Sequence, residues 1–114
     1  MKGKLKILLP TLREKERYIA FKVISEGPIT YSDLESAIWN VALDYLGEYG
    51  VSKTSLWIIK NLYDEYNQTS VVKCNNKSVQ DVVATLGMIS RLGDTRVILK
   101  ILKISGTIKG LKIK

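Results

Sequence analysis

The chain has 114 residues, 46% hydrophobic and 25% charged, which suits one globular domain with a single core and excludes a disordered polyelectrolyte. The formal charge is +7, there is no histidine, and Cys74 is the one cysteine. An intrachain disulfide is therefore excluded, and the commonest general base and metal ligand is absent.

No uncharged apolar run approaches the roughly 18 residues of a membrane span. The opening MKGKLKILLP is too short before Pro10 for a secretory core, so a cytoplasmic setting is expected. The charge is unevenly placed. Residues 1–17 carry six Lys/Arg against two acids, a net of +4, and residues 96–114 carry six with none, a net of +6. Residues 18–95 hold six basic and nine acidic residues, a net of −3. Basic ends on a mildly acidic middle point to a polyanionic partner, or to tails that aid solubility.

In chain order, the first element is a strand over Tyr18–Ser25, entered through LREKER. In an extended chain Arg13, Lys15 and Arg17 project to one side and Glu14 and Glu16 to the other. Alternate residues lie about 6.6 Å apart, a spacing suited to following a phosphate backbone. A helix follows Gly27-Pro28, with Thr30 as N-cap, Asp33 in the capping-box position, Leu34, Ile38, Val41, Ala42 and Tyr45 on one face, and Gly47 as its end.

Next come strands over Ser55–Tyr63 and Ser70–Cys74, joined by a DEYNQT hairpin loop, with Trp57 and Tyr63 on one face of the former. A second helix starts at Ser78 with Asp81 in its first turn and stops at Gly93. It places Val79, Val82, Val83, Leu86, Ile89 and Leu92 inward. The last strand, Thr95–Ser105, is apolar on both sides, with Val97, Leu99 and Ile101 on one face and Ile98, Leu102 and Ile104 on the other. Helices cover only one side of such a sheet, so the second strip predicts a partner or a self-association, or else terminal segments that fold over it.

The order β-α-β-β-α-β predicts a single domain over residues 1–114 with the ferredoxin-like fold of RNA-recognition domains. Four antiparallel strands carry both helices on one face, the first and third central and the fourth beside the first. This topology brings the two basic ends together.

Catalytic constellations are missing. Asp33 and Asp81 serve as caps, Asp64 and Glu65 lie in a loop, and Cys74 reads as a small buried hydrophobe. No catalytic residue, metal ligand or phosphate-binding glycine loop is expected. The third strand lacks the aromatic residues with which RNA-recognition domains stack bases, leaving Tyr18 as a stacking candidate and Phe21 as core. The residues alone also admit a regulatory module that dimerises through its sheet and binds a small metabolite.

The segments LPTLREKERYIAFKVISE, WIIKNLYDEYNQTSVVKC and ISGTIKGL together resemble the Pop5-type protein subunit of ribonuclease P, the archaeal protein component 2, over nearly the whole chain. The resemblance implies a noncatalytic subunit of the ribonucleoprotein that removes the 5′ leader of precursor tRNA. There a large RNA holds the catalytic Mg²⁺, and this chain binds no cofactor itself. It implies as partners the ribonuclease P RNA with its precursor tRNA and a TIM-barrel-like protein subunit, with a homodimer contact. The RNA contacts it points to are Arg13, Lys15, Arg17 and Lys109, beside the stacking candidate Tyr18.

Overall fold

A computed structural model of the protein describes residues 15–111. Its strands are β1 (Glu16–Ser25), β2 (Trp57–Ile58), β3 (Thr69–Asn75), β4 (Arg91–Leu92) and β5 (Thr95–Ser105). The helices are α1 (Tyr31–Thr54), α2 (Val79–Gly87) and α3 (Ile108–Leu111). One antiparallel sheet has the order β2-β3-β1-β5-β4. The expected four strands are thus five, and the last long strand lies beside the first as its topology requires.

The α1 start is set by Thr30, which is extended (φ −88°, ψ 152°) and whose hydroxyl accepts the Asp33 N–H at 3.2 Å. Leu34, Ile38 and Ala42, four residues apart, are buried against the sheet. Gly47 is a kink and not an end: at φ 76°, ψ 168° it interrupts the helix, which resumes and runs to Thr54. There the Thr54 hydroxyl donates to the Val51 carbonyl at 2.7 Å and accepts the Leu56 N–H at 3.1 Å.

The second helix is shorter than expected. Ser78 makes no side-chain cap, although its carbonyl accepts the Val82 N–H at 3.0 Å. The helix ends at Gly87, not at Gly93. Ile89 and Leu92 continue the apolar spacing and are buried, but Leu92 belongs to β4. Gly93, at φ 63°, instead makes the tight turn between β4 and β5.

The expected Ser55–Tyr63 strand also shortens. Only Trp57 and Ile58 pair with β3, and a 3₁₀ turn over Lys60–Leu62 follows. That turn carries Ile59 and Leu62 under the sheet, where they pack on Ala20 and Val71. It also separates Tyr63 from Trp57, so the two do not share a strand face: the Tyr63 hydroxyl donates to the Ile29 carbonyl at 2.7 Å, while Trp57 stays exposed.

The main core lies between the sheet and α1 and α2, and includes Ile19, Phe21, Val23, Val72, Leu86 and Leu99. The opposite face is covered in part by α3, whose Leu111 is buried on Ala20 and Val71. Not every helix therefore lies on one face. A bulge shifts the β1–β5 register at Ala20/Phe21: Phe21 faces Ile101 and Ala20 faces Lys103, leaving Leu102 as the extra residue. Ile104 then opposes Ile19, so it leaves the strip of Ile98 and Leu102 to which strict alternation assigns it, and Lys103 takes the open face.

Candidate nucleic-acid interface

Arg13 lies outside the described residues. Lys15 is exposed at the entry to β1, and its carbonyl accepts the Asn76 N–H at 2.8 Å, which fixes the extended backbone there. Two residues on, Arg17 stands in register with Cys74, on the side of the sheet that carries Ile19. Its Nη1 donates to the Glu16 carbonyl at 2.9 Å and passes over Gly106, where an added Cβ would meet it at 3.4 Å. The start of β1 and the exit of β5 therefore meet, and the part of the two basic ends that is described converges at one end of the sheet.

The segment beyond β5 is a compact turn. The Ser105 hydroxyl accepts the Thr107 N–H at 3.2 Å, and the Thr107 hydroxyl accepts the Gly110 N–H at 3.0 Å. A Cβ at Gly110 would collide with Ser105 Oγ, so only glycine fits. Lys109 is held exposed on this turn while Leu111 anchors it. Arg17 and Lys109 are thus presented from neighbouring segments.

Tyr18 faces the other way. It is half-buried against the cluster of Ala20, Val71 and Leu111, and its hydroxyl donates to Glu16 Oε1 at 3.4 Å. Glu16 also pairs with Lys73 Nζ at 3.5 Å, so this carboxylate is directed to the open face and away from Arg17.

Asp64 and the Cys74 thiol have structural occupations. Asp64 Oδ1 accepts the backbone N–H groups of Tyr66 and Asn67 at 3.0 and 3.1 Å, and Oδ2 accepts Asn67 Nδ2 at 2.8 Å. These bonds, led by those from Asn67, hold its carboxyl below the usual carboxylate range. Cys74 is fully buried, and burial pushes its thiol up to about 11. Among the described residues, no group of three or more His, Cys, Asp or Glu is placed to hold a metal ion. Nor is any helix among them long and apolar enough to cross a membrane.

A second set of cations escaped the sequence reading. Lys22 opposes Lys100 and Arg91 opposes Arg96 in the ladder; all four are exposed on the face away from the main core. The signal was present in β5 as Arg96, Ile98, Lys100 at period two, masked by the apolar content of the whole strand.

Comparison with known proteins gives a consistent result. Residues 17–114 match the family model described as the Rpp14/Pop5 family. The chain is similar to "Ribonuclease P protein component 2" of Pyrococcus furiosus, 47% identical over 109 residues, covering 96% of this chain and 89% of the relative. It is 41% identical over 114 residues to the protein of that name from Thermococcus kodakarensis, covering 100% of this chain and 93% of the relative. In fold it resembles a chain in the cryo-EM structure of yeast ribonuclease MRP, with a TM-score of 0.63 at 11% identity, covering 83% of this chain and 76% of that one. By the family match and by identity along its length, this chain belongs to the Rpp14/Pop5 family.

Proposed function

We propose that the protein is a noncatalytic protein subunit of ribonuclease P, assisting an RNA that carries the catalysis in removing the 5′ leader of precursor tRNA. The observation that carries this reading is the 47% identity to a ribonuclease P protein component along 96% of the chain. The structure is compatible with it. Of its described acids, Asp64 closes a loop and Glu16 pairs with Lys73, and its one thiol is buried in the core.

In this role the protein works through charge. Lys15, Arg17 and Lys109, together with Arg13, neutralise phosphates of the partner RNA, so that fewer solution ions are needed to hold the RNA in its active fold. Mg²⁺ is held by the RNA. The partners are the ribonuclease P RNA with its precursor tRNA and a TIM-barrel-like protein subunit, in the cytoplasm. Ile98 and Leu102, two of the exposed apolar residues of β5, fit a protein contact or a homodimer contact. The test is reconstitution with the cognate RNA and the partner protein. Cleavage of precursor tRNA that depends on this chain at low Mg²⁺ supports the role, and cleavage indifferent to it contradicts the role.

A further inference from the structure

The two opposed cation pairs on the open face are costly to the fold, because like charges directly across a ladder repel. In the β1–β5 ladder Lys22 faces Lys100, and in the β4–β5 ladder Arg91 faces Arg96. Among the described residues the ion pair formed is Lys73–Glu16, so none of these four cations has an acidic partner there. Between the two pairs sit Ile24 and Ile98, also directly opposed and both exposed. Successive pairs along β5 are two residues apart, about 6.6 Å, so the face alternates cation, apolar and cation at nearly even steps.

The Lys22–Lys100 pair forms the floor of an open groove of about 870 Å³ whose wall is the β2–β3 loop. That loop is held by hydrogen bonds. Asp64 ties the backbone of Tyr66 and Asn67, while Gln68 Nε2 donates to the Val23 carbonyl at 2.7 Å and to Ser25 Oγ at 3.1 Å. At its tip Tyr66 is 94% exposed and lines the same groove. An exposed aromatic ring on a hydrogen-bonded loop, beside two unpaired cations, has the composition of a single-strand nucleic-acid site, in which cations take the phosphates and the ring takes a base face.

We propose that this groove is a second RNA site, separate from the Arg17–Lys109 end of the sheet, which holds an unpaired RNA segment with its phosphates on Lys22 and Lys100 and one base stacked on Tyr66. The occupant is RNA because opposed lysines complement a polyanion, and single-stranded because a base in a duplex has no free face for the ring. The inference rests on the proposed role as an RNA-binding subunit and adds where, and in what form, the RNA is held.

The test measures binding of the full chain to a short oligoadenylate and to an RNA duplex of equal length at several salt concentrations. For Lys22→Ala/Lys100→Ala, the slope of log K against log salt for the single strand falls by about 1.4, from about 0.7 per phosphate contact. Tyr66→Ala weakens single-strand binding about tenfold while Tyr66→Phe retains it, and duplex binding is affected by neither. The thermal midpoint of the double lysine variant is unchanged or higher, because a repulsion has been removed. Unchanged slope and affinity in the lysine variant, or equal losses for single strand and duplex in Tyr66→Ala, overturn the proposal. Loss of partner-protein binding with RNA binding intact overturns it too, and assigns the face to a protein. Parallel reconstitution of cleavage keeps the two ideas apart. Wild type that supports cleavage alongside variants that bind as wild type refutes the groove alone, whereas altered variant binding without any wild-type support of cleavage refutes the subunit role alone.

Discussion

Arg17 and Gly106 are neighbours in space: the guanidinium at the start of β1 lies close enough to the first residue after β5 that a Cβ added there would meet Nη1 at 3.4 Å. This proximity brings together the two basic ends that the chain order separates by nearly its whole length. It also makes the turn after β5 part of the candidate RNA surface, so the geometry of that turn controls where Lys109 stands.

Gly110 is the position most sensitive to change in that turn. Gly110→Ala drives a methyl group into Ser105 Oγ, displaces the Thr107 cap and lifts Leu111 from Ala20 and Val71. Overpacking of this kind costs about 1–3 kcal/mol. Gly106→Ala meets only the far end of a flexible arginine and leaves stability nearly unchanged. Thermal unfolding of the two variants distinguishes them, and equal midpoints contradict the description of the turn.

Gly47 tests the kink. Its φ of 76° with ψ of 168° is a region that only glycine enters freely, so Gly47→Ala either strains the backbone or straightens α1. The expected loss is about 1–3 kcal/mol, read as a lower denaturant midpoint with an unchanged slope.

Asp64 links the β2–β3 loop to pH. Its folded carboxyl is held below its ordinary value by the Asn67 and Tyr66 hydrogen bonds, so its contribution to the loop is present above the ordinary carboxylate range. That contribution is lost as pH falls through the lower, folded value. Amide exchange at Tyr66 and Asn67 reports it: both amides open as acid protonates the carboxylate, and in Asp64→Ala they are open at all pH. The same variant leaves the single-turnover cleavage rate of the reconstituted enzyme nearly unchanged. A thousandfold fall with assembly intact would assign Asp64 a part in the chemistry.

For the N-terminal cations, replacing Arg13, Lys15 and Arg17 together with alanine lowers RNA affinity across sequences. It reduces the slope of log K against log salt by about 2–3 if all three contact phosphates. Lys15 and Arg17 precede the buried stretch of β1, so the fold survives. An unchanged slope makes LREKER a solvated lead-in to the strand.

How far the sequence was legible depended on whether local chemistry and tertiary packing agreed. Thr30 is readable because a hydroxyl followed three residues later by an acid is a local signature, and Thr95–Ser105 because a long apolar stretch rich in Val and Ile favours a strand. The Ser55–Tyr63 run misled because its apolar content satisfies a strand, whereas Ile59 and Leu62 are three apart and close a helical turn against Ala20. Leu92 fell on the helical spacing of α2 yet pairs with Thr95, since the two-residue Gly93-Asp94 turn outweighs the periodicity. Of the candidate site, the charge order of LREKER nominates Arg17, whereas Lys109 comes from the family resemblance. The Lys22–Lys100 and Arg91–Arg96 pairs were not legible, because opposition across a ladder depends on register, and a bulge at Leu102 alters the register of β5.

The role proposed for this chain is to lower the ion demand of a catalytic RNA. Its most direct test is a Mg²⁺ titration of precursor-tRNA cleavage by the cognate RNA and partner protein, with and without this chain. With the chain present, half-maximal cleavage is expected at lower Mg²⁺; the Arg13/Lys15/Arg17 alanine variant reverses much of that shift, and the rate at saturating Mg²⁺ is little changed by the variant. A titration midpoint that is the same with and without the chain would contradict this role.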